Sequence, residues 1–179
     1  MPASAWRRGV RVTLTAVAVF YGCQYGLDNS TMALYAVFAV LAFSLLSQMS
    51  GPPRERTRTL LVCLALGLVV VTVGTYAAVN TWVAVVAMFV FGFFVSFSGV
   101  AGVRVSEVST GLQLIFILPS LPPFDPGSLG SRLIGFVIGM LVLIVTDRLL
   151  LPDPGPPSFA EQLADATEKV RALAEAIVD

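Results

Sequence analysis

The chain has 179 residues, of which 56% are hydrophobic and 12% charged, and its formal net charge is zero. A water-soluble domain carries about 25% charged residues, so composition points away from one, and a neutral chain has no global field to gather nucleic acid. It has no histidine, which removes the usual general base and the commonest zinc ligand, so no enzyme, metal or cofactor is expected.

Residues 29–53, 59–79 and 81–103 contain no charged side chain. A bilayer's hydrocarbon core is about 30 Å thick and takes roughly 20 apolar helical residues to cross. Backbone groups in hydrocarbon must bond within their own segment, so such runs predict helices. In chain order, helix 1 is expected over Val10–Gly26, with Arg7, Arg8 and Arg11 at its start, as a retained helix and not a cleaved signal. Helix 2 is expected over Thr31–Gln48, ending at the breaker run Ser50-Gly51-Pro52-Pro53. Arg54, Arg56 and Arg58 then lead into helix 3, Thr59–Val79, and a tight turn at Asn80 leads into helix 4, Thr81–Val100, with Trp82 at an interface. The fifth segment, Val105–Leu118, is short for a crossing, and Pro119, Pro122 and Pro123 stop it. Helix 6 is expected over Leu129–Leu151.

With six crossings and a cytoplasmic N-terminus, Arg7, Arg8, Arg11, Arg54, Arg56, Arg58, Arg104 and Arg148 fall at inner ends and Arg132 alone at outer ends. That asymmetry is the positive-inside pattern. The predicted fold is all-α: a polytopic membrane helix bundle of six transmembrane helices over residues 1–151, a 152–157 linker and a cytoplasmic amphipathic helix over 158–179. Ser158 and Glu161 form a capping box. Phe159, Leu163, Ala166, Val170, Leu173 and Ile177 then form a heptad seam, open either to a second chain or to the membrane surface.

Polar groups at membrane depth are the candidates for chemistry. Arg104 and Glu107 share a helix face where helix 4 turns into the fifth segment, either as an ion pair fixing that turn or as an entrance for an anion and a proton. Ser106, Thr110 and Gln113 continue as a polar stripe, expected to face the bundle interior, with Ser109 beside it. Arg132 is expected to snorkel to the headgroups or to join the pathway, and Asp147 to be an interfacial residue. Gly135 and Gly139, and Gly67 and Gly74, mark stripes where helices can approach closely. Cys23 and Cys63 lie in apolar runs and read as packing residues.

The run Arg54-Glu55-Arg56-Thr57-Arg58-Thr59-Leu60-Leu61 with Gly67 after it, a proline-bearing loop before Arg132-Leu133-Ile134-Gly135, and the ending Leu149-Leu150-Leu151-Pro152 before a further helix resemble the fusaric acid resistance (FUSC), or aromatic acid exporter, family. The resemblance spans about residues 7–175. It implies a six-helix membrane half in the cell membrane, export of aromatic or other organic carboxylates, and a homodimer, since family members often carry a second membrane half. The expected partners are the lipid bilayer, a small organic anion, and a second copy or partner subunit through 158–179. The alternative is a membrane scaffold that transports nothing.

Overall fold

In the computed structural model the described residues are 3–46, 53–98, 100, 103–121, 125–149, 163 and 167. They form six α-helices and no strand: α1 (Ala3–Tyr21), α2 (Ser30–Leu41), α3 (Pro53–Ala77), α4 (Thr81–Ser98), α5 (Val103–Ile117) and α6 (Leu129–Leu149). π-helical turns extend α1 over Gly22–Gly26 and α2 over Ala42–Leu46, and 3-10 turns lie at Leu118–Ser120 and Pro126–Ser128. The linker and the amphipathic tail read from the sequence lie outside the described residues, except Leu163 and Thr167. Those two are helical and joined by a Thr167 Oγ1 bond to the Leu163 carbonyl.

Three segments are long and apolar enough to cross a membrane: Arg54–Ala77, Thr81–Ser98 and Pro126–Arg148. The apolar helices at Ser30–Ser44 and Val108–Ser120 are shorter. α5 has 15 residues, a rise of about 22 Å at roughly 1.5 Å per residue. Helix 2, expected to run to Gln48, leaves α geometry after Leu41.

Side-chain contacts fix the direction of the helices. At one end the starts of α1 and α3 meet the end of α6, through Arg11, Arg56 and Asp147. At the other end Asn29, before α2, donates to Ser131 on α6 at 3.0 Å, and Arg132 on α6 reaches Thr75 near the end of α3. α2 and α6 are therefore parallel, and α3 runs antiparallel to α6. Local sequence sets the turns between them. Asn29 is extended and its Oδ1 accepts from Met32 N at 3.0 Å, capping α2, while Asp28 before it turns left-handed at φ 47°. Asn80 Oδ1 caps α4 by accepting from Trp82 N.

The tightest seam is between α2 and α6. Gly135 lies against the backbone of Met32 and Gly139 against that of Ala36; a Cβ at either position would collide with a carbonyl oxygen. Ala33, Ala36 and Ala39 on α2 are fully buried, so small residues on both helices let the backbones meet. Gly67 makes room for the ring of Phe136, and Gly74 lies against Pro119. Cys23 and Cys63 are buried in the same core as free thiols.

α4 differs from the others. It has no buried residue, and Phe89, Phe93, Phe94 and Phe97 are exposed around it. A helix apolar around its whole circumference belongs in a core or in lipid, and so large an exposed apolar surface suits a membrane location.

Candidate functional site

The structure gathers two groups of polar side chains, one at each end of the α3–α6 pair. Each stands on a helix stripe that otherwise builds the core. On α6 the buried positions are Arg132, Gly135, Phe136, Gly139, Met140, Leu143 and Thr146, the 3.6-residue repeat of one face. Asp147 follows Leu143 on that face, and its side chain is 9% exposed. On α1 the buried face runs Arg11, Thr15, Val19, Cys23.

At the arginine-rich end Asp147 Oδ1 accepts from Arg56 Nη2 at 2.7 Å and lies 3.5 Å from Arg11 Nη1. One carboxylate thus ties α1, α3 and α6. Arg148 turns outward and donates from Nε to Thr57 Oγ1 at 3.2 Å. Among the described residues Arg56 Nε, which is buried, has no hydrogen-bond partner, so Arg56 holds Asp147 through one nitrogen of its fork. Asp147 stands near the end of α6, as an interfacial residue would, but its side chain is turned into the bundle. The four-residue step from Gly139 through Leu143 carries it inward, where two arginines replace its water.

At the other end Arg132 is 3% exposed. Its Nε donates to Ser128 Oγ at 2.8 Å and its Nη1 to Thr75 Oγ1 at 3.4 Å, and its guanidinium carbon stands 5.5 Å from the centre of the Tyr35 ring. Snorkelling to the headgroups is not what this side chain does. It shares the inward face of α6 with Gly135, and the Tyr35 ring and the Thr75 hydroxyl hold it between α2 and α3. Tyr35 is 2% exposed, and its hydroxyl is buried on the same side of the bundle as Arg132. A guanidinium and a phenol therefore stand together in a buried place, both able to donate to an oxyanion.

One turn beyond Thr75, an open apolar groove of about 600 Å³ runs between the end of α3 and the start of α4, lined by Ala78, Val79, Ala84, Val85, Met88 and Phe89. Its polar lining is confined to Thr81 and Ser120.

The other candidates from the sequence fall differently. Arg104 and Glu107 belong to the first turns of α5, but their side chains lie outside what the structure describes, as does that of Ser106. Thr110 is exposed and Gln113 half-buried, so at Thr110 the stripe does not face the interior expected for it. Ser109 is the buried hydroxyl at that level, and it donates to the Val105 carbonyl. A hydroxyl satisfied by its own helix in this way needs no interior partner.

The partnership of Arg11, Arg56 and Asp147 was missed by reading the chain alone, although the spacing of Asp147 from Gly139 was a usable signal. No family model, curated protein or solved structure matches this chain. None of these comparisons identifies the FUSC family expected from the sequence.

Proposed function

We propose that the chain is a multi-pass protein of the cell membrane, crossing six times with both termini cytoplasmic, that exports aromatic or other organic carboxylates. The observation that carries this reading is Arg132, 3% exposed and packed over the buried Tyr35 ring. A cation inside a membrane bundle is costly and marks a path for ions or substrate. The alternating helix ends support the topology, because they put Arg11, Arg56 and Arg148 together at the end assigned to the cytoplasm. The apolar groove one turn beyond Thr75 suits the ring of an aromatic acid.

A membrane potential is worth about 2.3 kcal/mol per charge per 100 mV, and a proton gradient adds to it. Each 1.4 kcal/mol is about tenfold, so an anion can be driven outward without ATP. Arg132 supplies the attracting charge, Tyr35 and Thr75 the neutral groups that orient the carboxylate. The resemblance of Arg54–Leu61 and Arg132–Gly135 to the FUSC family supports the same class of substrate. The test is flux of a labelled aromatic carboxylate in vesicles holding the wild-type chain or Arg132→Gln.

A second reading is favoured by α4, which has no residue buried within the chain. Its exposed aromatic face would serve a scaffold or subunit that acts by assembly, with a second copy or another membrane protein. Cross-linking single cysteines at Phe89 and Phe93 in native membranes separates the two readings. Cross-links in a chain that carries no flux would favour assembly.

A further inference from the structure

The proposed export needs a place where a carboxylate is first taken up from the cytoplasmic side, and the Arg56–Asp147 pair has the chemistry for it. We propose that Arg56, with Arg11 beside it, is a carboxylate-binding site, and that Asp147 is its built-in occupant, displaced when a small organic carboxylate binds. This inference rests on the export reading for its purpose, although binding can be measured without transport.

The occupant's chemistry is already visible. The group between the two guanidiniums is a carboxylate, with Oδ1 at 2.7 Å from Arg56 Nη2 and 3.5 Å from Arg11 Nη1. The hold is incomplete. An arginine fork binds a carboxylate best through two parallel N–H···O bonds, and here Arg56 uses Nη2 alone while its buried Nε has no acceptor among the described residues. Asp147 is tethered to α6 and does not satisfy that edge. A free carboxylate with no tether can present both oxygens to Nε and Nη2. The low exposure of the pair, 18% for Arg56 and 9% for Asp147, makes each N–H···O bond stronger than at an open surface. Displacing Asp147 also removes one of the two side-chain links between α3 and α6 at this end, leaving Arg148–Thr57, which would couple loading to a change in the bundle.

Because the internal carboxylate competes, the wild-type site is weakened by the fraction of time that Asp147 occupies it. The experiment is thermal unfolding of the purified full chain in detergent, titrated with benzoate, with benzyl alcohol as the neutral control. Wild type should be stabilised by benzoate and not by benzyl alcohol. Arg56→Lys keeps the charge and loses the fork, and should reduce the benzoate shift to the part carried by the Arg132 end, which Arg132→Gln removes separately. Asp147→Asn should reach half-maximal shift at about tenfold lower benzoate. No shift in wild type, a full shift in Arg56→Lys, or an unchanged midpoint in a folded Asp147→Asn would each overturn the proposal. If Asp147→Asn does not fold, wild type and Arg56→Lys decide. Benzoate binding as described without flux would leave this site standing and remove export; flux with an unaltered shift in Arg56→Lys would do the reverse.

Discussion

Arg56 Nη2 meets Asp147 Oδ1 at 2.7 Å across 91 residues of sequence, joining the start of α3 to the end of α6. Arg11 joins the same carboxylate from α1. Three of the six helices are therefore held at one end by one acidic side chain, while Arg132 holds α6 against α3 at the other.

Asp147→Ala leaves two guanidiniums facing a mostly dry site without their carboxylate. Breaking a buried pair from one side costs about 3 kcal/mol, whereas replacing both partners by apolar groups is often close to neutral. The expected result is a large loss of stability in Asp147→Ala and a partial recovery in Arg56→Met/Asp147→Leu. Denaturant unfolding in detergent measures both. A double variant worse than the sum of its singles would contradict the pairing.

The α2–α6 seam predicts a sharp contrast between glycines. Gly139→Leu drives a side chain into the Ala36 backbone, and overpacking of this kind costs about 3 kcal/mol. Gly92 on α4 has nothing within 4 Å of a would-be Cβ. Gly92→Ala should therefore be neutral or stabilising by up to about 1 kcal/mol, the helix-propensity difference. Melting temperatures of the two variants in one detergent check the contrast.

Asn29 carries two separate bonds: Oδ1 caps α2, and Nδ2 reaches Ser131 on α6. Asn29→Ala removes both. Loss of the cap costs about 1 kcal/mol, and the cross-helix bond contributes a similar amount, about 1 kcal/mol. Ser131→Ala removes only the second and should cost about half as much. Equal losses in the two variants would show that the cap contributes nothing.

The proposed topology is testable with single cysteines. Cys23 and Cys63 are 2% and 0% exposed, so background labelling is low. Gly130 and Glu55 are exposed and stand at opposite ends of the bundle. Gly130→Cys should react with an impermeant maleimide in intact cells, and Glu55→Cys only after permeabilisation. The opposite pattern would invert the topology.

Much of the helical framework is legible in the sequence, because uncharged runs in hydrocarbon leave the backbone no alternative to helix. Gly135 and Gly139 also announce a close approach, although not that Met32 and Ala36 are the residues approached. The length of α2 is not legible, since the change to a π turn after Leu41 occurs inside an unbroken apolar run. The charged contacts are harder still. Arg11, Arg56 and Asp147 read singly as residues at an interface, and only tertiary packing makes them partners. Arg132 misleads for a related reason. Its place near a helix start suggests escape to the headgroups, but the same 3.6-residue face that carries Gly135 and Phe136 turns it inward. Thr110 errs in the other direction. A helix hydroxyl can bond its own backbone, so a polar stripe is weak evidence for an interior face.

Export of a carboxylate through a path that uses Arg132 is the central claim. The most direct measurement loads vesicles of the purified chain with labelled benzoate, imposes a potential with the interior negative, and compares efflux from wild type, Arg132→Gln and empty vesicles. The account predicts saturable, potential-driven efflux in wild type that falls to near the empty-vesicle rate in Arg132→Gln while the variant stays folded. Equal efflux from wild type and Arg132→Gln, or none above empty vesicles across a panel of aromatic carboxylates, would contradict it.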